Sequence, residues 1–357
     1  LKIGKYEIKH PIIQGGMGVG ISWDKLAGTV SLEGGLGVIS AVGTGYYKTE
    51  DFNIKTRKNK PVDVINFYSK EALTAIIDNA RKICGDAPLA CNVLYAINDY
   101  GRVVKDACEA GINMIITGAG LPTNMPEFTK DFPDVALIPI VSSARALKLI
   151  CKKWKRYNKL PDAVIVEGPK SGGHQGFTYE QCFQEEYQLE NIVPEVIEES
   201  KNWGDLPIIA AGGIWDKNDI DKFLAMGCSG VQMATRFIGT FECDADAQFK
   251  KVLIDAKEED IQLMKSPVGL PARGVMTKLQ ESMEDGTAPK VACVSNCVAP
   301  CNRGREAKIV GYCIADRLGA AYKGDLDTGL FFSGSNGYRL DKLISVHELM
   351  EKLTKGE

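Results

Sequence analysis

The sequence has no run of about eighteen apolar residues, the length a membrane-crossing helix needs, so no membrane partner is expected. It has little net charge. Forty-three Lys and Arg stand against 46 Asp and Glu, leaving −3 at neutral pH, and this lacks the basic footprint that nucleic acid demands. The opening LKIGKYEIKH is charged and has no apolar core of a secretory leader, so a cytoplasmic setting is expected. No internal repeat or low-complexity tract is visible, which argues against a solenoid. Histidine is scarce as well: only His10, His174 and His347 occur, so imidazole chemistry has three candidates.

Cysteine, by contrast, is plentiful, with eleven residues. Seven are scattered: Cys84, Cys91, Cys108, Cys151, Cys182, Cys228 and Cys243. Several sit among apolar neighbours, where a thiol acts as a small hydrophobe. Without a secretory leader they read as reduced thiols, not as a disulfide framework. The other four, Cys293, Cys297, Cys301 and Cys313, fall within 21 residues as C-x3-C-x3-C-x11-C. Four thiolates on a loop with Pro and Gly suit an iron–sulfur cluster or zinc, or stay unliganded. Zinc motifs bring cysteines in two close pairs, whereas three evenly spaced ones plus a distant fourth look more like a cluster.

At 357 residues the chain has room for two domains or for one α/β barrel. Short apolar runs recur at 12–14, 37–40, 90–93, 114–117, 136–141, 163–166, 207–211 and 230–233. Continuous apolar runs mark strands buried on both faces. Helical spacing fills the intervals at 23–33 (with Ser22 as its cap), 69–83, 103–110, 144–154, 191–200 and 217–225. Alternating strand and helix predicts a parallel sheet, and eight units predict closure into a (β/α)8 TIM barrel; an open doubly wound sheet is the alternative. The barrel is placed at 1–240. Residues 241–357 form a C-terminal extension with a charged helix at 245–264, a Gly/Pro-rich loop, the cysteine cluster and a last helix at 345–353. Residues 46–67 read as a polar loop.

Function in such a barrel gathers on loops after the strand C-termini. After the first strand come Gly15, Gly16, Met17 and Gly18; clustered glycines let backbone approach a flat ligand, or simply make a tight turn. After the seventh come Gly212 and Gly213, and after the eighth Gln232, Met233, Ala234 and Thr235. Barrel phosphate sites are commonly built from these two loops, so a phosphate-bearing cofactor is expected there. After the sixth comes Glu167-Gly168-Pro169-Lys170-Ser171-Gly172-Gly173-His174-Gln175-Gly176. A histidine on such a loop reaches a substrate proton, with an ordinary pKa suited to a base at neutral pH. Asn92 ends the third strand, within reach of a ring edge. Residues 117–120 line the cavity or merely turn the chain, and Tyr46 and Tyr47 are candidates to close it.

These motifs resemble the nitronate monooxygenase (2-nitropropane dioxygenase) family and its sibling, the flavin-dependent enoyl-acyl-carrier-protein reductase. The pieces are 11–18 (PIIQGGMG), 34–39 (GGLGVI), 91–93 (CNV), 171–176 (SGGHQG), 210–214 (AAGGI) and 230–237 (GVQMATRF), in family order. The resemblance implies FMN across the barrel mouth, its phosphate held by Gly213 and 232–235 and its ring bordered by 15–18 and Asn92. Glu167, Gly173 and Gly212 join the cofactor-binding set. His174 matches the family histidine used in substrate activation. A monooxygenase converts an alkyl nitronate to a carbonyl compound and nitrite; the reductase passes hydride from NAD(P)H to an enoyl thioester. The first loop continues as Gly18-Val19-Gly20-Ile21-Ser22, unlike the reductase's usual continuation. Family members are often homodimers. The last two cysteine gaps resemble the [4Fe–4S] motif of 2,4-dienoyl-CoA reductases, apart from a first gap of three residues here, not two. A cluster would let a one-electron donor feed FMN.

Overall fold

The computed structural model describes residues 1–47, 68–288, 297–299, 301 and 311–356. Eight strands form one parallel sheet: β1 Ile12–Gln14, β2 Gly37–Ser40, β3 Leu89–Asn92, β4 Met114–Thr117, β5 Ala136–Val141, β6 Val164–Glu167, β7 Ile208–Ala211 and β8 Gly230–Met233. Each pairs with its successor, and β8 pairs back onto β1 through Val231–Ile12 and Met233–Gln14. A parallel bridge between Ile13 and Leu36 closes the ring, with Leu36 N–H donating to Ile12 O at 2.9 Å and Gln14 N–H to Leu36 O at 2.9 Å. The barrel expected from the alternating pattern is therefore the fold observed.

Strand periodicity explains why these segments are apolar throughout. One face points into the barrel: Ile13, Val38, Ala90, Ile116, Ile138, Ile165 and Ile209 pack together there, plugged from below by Ile3 and Ile8 beside the N-terminal hairpin. The alternate residues Ile12, Ile39, Cys91, Ile115, Leu137, Val164 and Ile208 face the helices. Both faces are mostly apolar, and the polar residues of the strands gather at their C-terminal ends, at Gln14, Ser40, Asn92, Thr117 and Glu167. The surrounding helices are Asp24–Leu32, Lys70–Cys84, Tyr100–Glu109, Ala144–Trp154, Leu189–Lys201 and Lys217–Ala225. Ser69 and Ser143 cap their helices by accepting from Ala72 N–H and Ala146 N–H, and Asp216 forms a capping box with Asp219.

Two local expectations are corrected. Ser22 does not cap the first helix. The Asp244 carboxylate does so from 221 residues away, accepting from Trp23 N–H at 2.7 Å and from Lys25 and Leu26 N–H at 3.2 Å. The charged stretch 245–264 is not one helix: Ala247–Asp255 is helical, and Ile261–Lys265 is a strand. Its register with Pro271–Val275, running from Ile261–Val275 to Lys265–Pro271, overrides the helical preference of the residues. The last helix, Val346–Lys355, packs against Asp24–Leu32 and Lys217–Ala225, filling the eighth outer position that the four-residue helix Thr235–Ile238 is too short to cover. No helix among the described residues is long and apolar enough to cross a membrane.

Candidate functional site

The loops after the strand C-termini enclose a cavity of about 1880 Å³. Gly15, Gly16, Met17, Gly18, Asn92, Glu167, Gly173, His174, Gly212, Gly213, Gln232, Met233, Ala234 and Thr235 all line it. Residues drawn from five loops are thus gathered at one mouth.

Its floor is the first loop. Gln14 holds that loop by accepting from Val38 N–H at 3.1 Å and donating to Gly15 O. Ser22 Oγ accepts from Met17 N–H at 2.8 Å, which is its actual role. A Cβ at Gly16 would stand 2.4 Å from Asn92 Cβ, and one at Gly18 2.2 Å from Val42 Cγ1. Only glycine leaves this surface flat.

The opposite wall joins the seventh and eighth loops. Gly212 and Gly213 adopt φ of +101° and +82°, and a Cβ at Gly212 would lie 2.8 Å from Gly168 O. Residues 333–336 (SGSN), absent from the sequence-based set, cover this wall. Gly334 N–H donates to Thr235 Oγ1 at 2.9 Å, Ser335 N–H to Lys170 O at 3.1 Å, and Asn336 Nδ2 to Gly213 O at 2.7 Å. A run of small residues near the C-terminus reads only as a turn, which is why it was passed over. The side chain of Lys170 also borders the cavity and brings a cation to the same wall.

The sixth loop is pinned from within by Gln175, which is 1% exposed. Its Nε2 donates to Ser171 O and Gly173 O, both at 2.9 Å. The loop is pinned from outside by the C-terminal hairpin, since Gly173 and His174 pair antiparallel with Arg273 and Ala272. His174 Nε2 lies 2.7 Å from Ser266 Oγ, and the ring meets Phe332 edge-on at 5.3 Å. Burial pushes the imidazole down to about 4, so it is neutral at pH 7. Glu167 ends β6 deep in the mouth, where burial pushes its carboxyl up to about 7. Among the described residues the side chains of Asn92, Glu167 and Gln232 border the cavity without a protein hydrogen-bond partner. Their polar atoms are therefore left to face the cavity, and beside a glycine-flattened floor they fit the polar rim of a flat cofactor ring. The positive-φ glycines, Thr235 and Lys170 fit its phosphate.

A second part of the cavity is aromatic. Tyr95, Tyr100 and Phe128 line it, with ring centroids 5.0 and 5.7 Å apart along the row. Gly118, Ala119 and Gly120 border it, whereas Thr117 is buried with Oγ1 3.2 Å from Tyr100 OH. The expectation that Tyr46 and Tyr47 close the site is corrected. Tyr46 is buried with its hydroxyl toward Ala315 O, and Tyr47 packs on Trp23 and accepts from Asn79.

Residues 297–299 roof the aromatic end. Asn98 N–H donates to Cys297 O at 3.1 Å and Ala299 N–H to Ala96 O at 2.9 Å. Cys297 borders the cavity. Cys313 caps the helix Ile314–Tyr322, and burial pushes its thiol up to about 12, with Cys297 among the lesser causes. Cys301 is half-buried, and Cys293 lies outside the described residues. Among the described residues no three His, Cys, Asp or Glu side chains are grouped to hold a metal ion.

The model of the family described as nitronate monooxygenase matches residues 1–356. The chain belongs to the nitronate monooxygenase family. It is 26% identical over 297 residues to a probable nitronate monooxygenase of Staphylococcus saprophyticus, covering 79% of this chain and 80% of that one. FabK from Thermotoga maritima superposes with a TM-score of 0.74 at 25% identity, over 98% of this chain and 93% of that one. A nitroalkane oxidase from Streptomyces ansochromogenes shares the fold, with a TM-score of 0.67 at 21% identity over 97% and 95% of the two chains. Family membership makes this protein an oxidoreductase of a flavin-using group acting on small molecules, related to the FabK enzymes.

Proposed function

We propose that this protein is an FMN-dependent oxidoreductase that uses dioxygen to oxidise alkyl nitronates to a carbonyl compound and nitrite, with His174 activating the substrate. The observation that carries this reading is a neutral imidazole on the cavity wall, fixed at Nε2 and set on a loop pinned on two sides. Gly213, Gln232 to Thr235 and Lys170 would hold the FMN phosphate. Gly15 to Gly18, Asn92, Glu167, Gly173 and Gly212 would border the rest. FMN, when bound, supplies the two-electron and one-electron chemistry that side chains lack. The protein's part would be to hydrogen-bond and orient the nitronate at His174, and to exclude water with the 333–336 segment and the hairpin.

A second reading is supported by the cavity itself. About 1880 Å³ exceeds the roughly 300–1,000 Å³ of ordinary ligand pockets, and the aromatic end suits a long apolar chain. That favours reduction of an enoyl thioester with NAD(P)H. An imidazole pushed down to about 4 is both a poor proton donor and a weak base at neutral pH, so its basicity does not choose between the two readings. The deciding assay sets turnover of alkyl nitronates and propionate 3-nitronate against NADH- and NADPH-dependent reduction of crotonyl thioester. Nitrite release without thioester reduction supports the first reading; NAD(P)H oxidation only with the thioester overturns it.

The spacing of Cys293, Cys297, Cys301 and Cys313 supports a [4Fe–4S] cluster more than zinc, fed by a one-electron donor. Iron, zinc and sulfide analysis of anaerobically purified protein, with its visible spectrum before and after dithionite, tests this. Homodimer formation and a cytoplasmic location are inferred from family habit and composition, and sedimentation tests the former.

A further inference from the structure

The pentapeptide Ser266-Pro267-Val268-Gly269-Leu270 forms the tip of the hairpin between Ile261–Lys265 and Pro271–Val275. A tight tip explains the Pro and Gly; Gly269 adopts φ of +85°, and its N–H donates to Ser266 O at 3.0 Å. The serine is not explained by the turn, because its side chain points away from solvent and is 4% exposed. Its Oγ lies 2.7 Å from His174 Nε2 and accepts from Val268 N–H at 3.4 Å. Tyr312, also buried, stands nearby, donating to Lys265 O at 3.3 Å. The hairpin is itself stitched to the histidine loop, since Gln175 N–H donates to Pro271 O at 2.8 Å and Ala272 pairs with His174. His174 Nδ1 makes no hydrogen bond among the described residues.

We propose that Ser266 is a positioning residue for His174. Its hydroxyl, fixed by Val268, holds Nε2 and the plane of the ring, and leaves Nδ1 as the nitrogen that meets the substrate. A histidine's working nitrogen is set by the hydrogen bond that the other nitrogen makes. No charged side chain does this work at His174: the groups facing the ring are the Ser266 hydroxyl and the Phe332 edge, and burial is the cause of its lowered basicity. A hydroxyl partner orients the ring without adding charge, which keeps the imidazole neutral. A carboxylate in the same place would raise its basicity.

This inference rests on His174 acting on substrate, and the experiment separates the two. The flavin-loaded enzyme is assayed as wild type, Ser266→Ala, Ser266→Thr and His174→Asn, with kcat and KM measured on an alkyl nitronate. Bound flavin is quantified by absorbance. Loss of ring orientation in Ser266→Ala lowers kcat by on the order of tenfold to a hundredfold, with KM and flavin content unchanged, and Ser266→Thr restores most of the rate. If Ser266→Ala is as fast as wild type, or faster, Ser266 does not position the ring. A faster variant would show that it occupies the working nitrogen. If His174→Asn keeps full activity, the reading of His174 fails first and Ser266 has nothing to position. If Ser266→Ala does not fold, Ser266→Thr and Ser266→Cys decide, and equal loss in both overturns the proposal.

Discussion

In the barrel, each strand hydrogen-bonds to the next strand in the chain, and only the closure of β8 on β1 spans the whole unit. After residue 240 the partners are remote. Ser266 reaches back 92 residues to His174, Gly334 99 to Thr235, Asn336 123 to Gly213, and Asp244 221 to Trp23. The first region builds a ring from repeated neighbour contacts. The second holds the loops at the mouth of that ring in place. The contrast teaches that the mouth is assembled from both ends of the chain, although its glycine motifs all belong to the first region.

Substitutions that affect chemistry, fold or docking separately sharpen this contrast. The largest effect is expected at the mouth. His174→Asn should lower turnover by about 10²- to 10⁴-fold while leaving flavin bound, as read by steady-state kinetics and absorbance. Next comes the ring itself. A Cβ at Gly37 would lie 1.8 Å from Ala27 O, between β2 and the first helix. Gly37→Ala should therefore cost about 1–3 kcal/mol of stability by overpacking, measured by urea unfolding. Gly16→Ala, whose Cβ would meet Asn92 Cβ at 2.4 Å, should lower bound flavin as well as the unfolding midpoint, whereas Gly37→Ala should lower the midpoint alone.

Asp244 tests how far the second region supports the first. Asp244→Ala removes the acceptor for the N–H groups of Trp23, Lys25 and Leu26. A lost cap costs about 0.5–2 kcal/mol; a drop in Tm would confirm that residue 244 stabilises a helix at residue 24. No drop would mean that water replaces it.

The effects on pH dependence have opposite signs at two groups. His174 titrates near 4 when folded against 6.5 for an ordinary histidine. In that window the unfolded chain binds more protons, so its contribution is lost as pH falls from 6.5 toward 4. Glu167 is raised from 4.5 to about 7, so the folded chain binds more protons there and stability is lost as pH rises through that range. In cofactor-free protein, His174→Gln should flatten the acid-side loss of Tm and Glu167→Gln the neutral-side loss. Parallel curves for either variant and wild type would remove that group from the balance.

Much of the barrel could be read before the structure. Five of the eight strands have the expected bounds and the other three shift by one residue, because strands buried on both faces are written as uninterrupted apolar runs between Gly and polar turns. The loop glycines could be located for the same reason, since each follows a strand end. Ser266, residues 333–336 and the aromatic row Tyr95–Tyr100–Phe128 could not, because each gains its meaning from a partner distant in sequence or in another loop. Tyr46 and Tyr47 were misjudged because nothing local shows that they pack inward.

By itself the sequence determined a closed parallel barrel, a glycine-flattened mouth and the single histidine placed on it. Those follow from strand periodicity and from the backbone freedom of glycine, both local properties. Only the tertiary structure decided which hydroxyl holds that histidine, which segment covers the wall of the seventh and eighth loops and which carboxylate caps the first helix. Hydrogen bonds across 92 to 221 residues leave no periodic trace in the chain, since a serine, a glycine or an aspartate at one end does not specify its partner until the barrel has brought the two together.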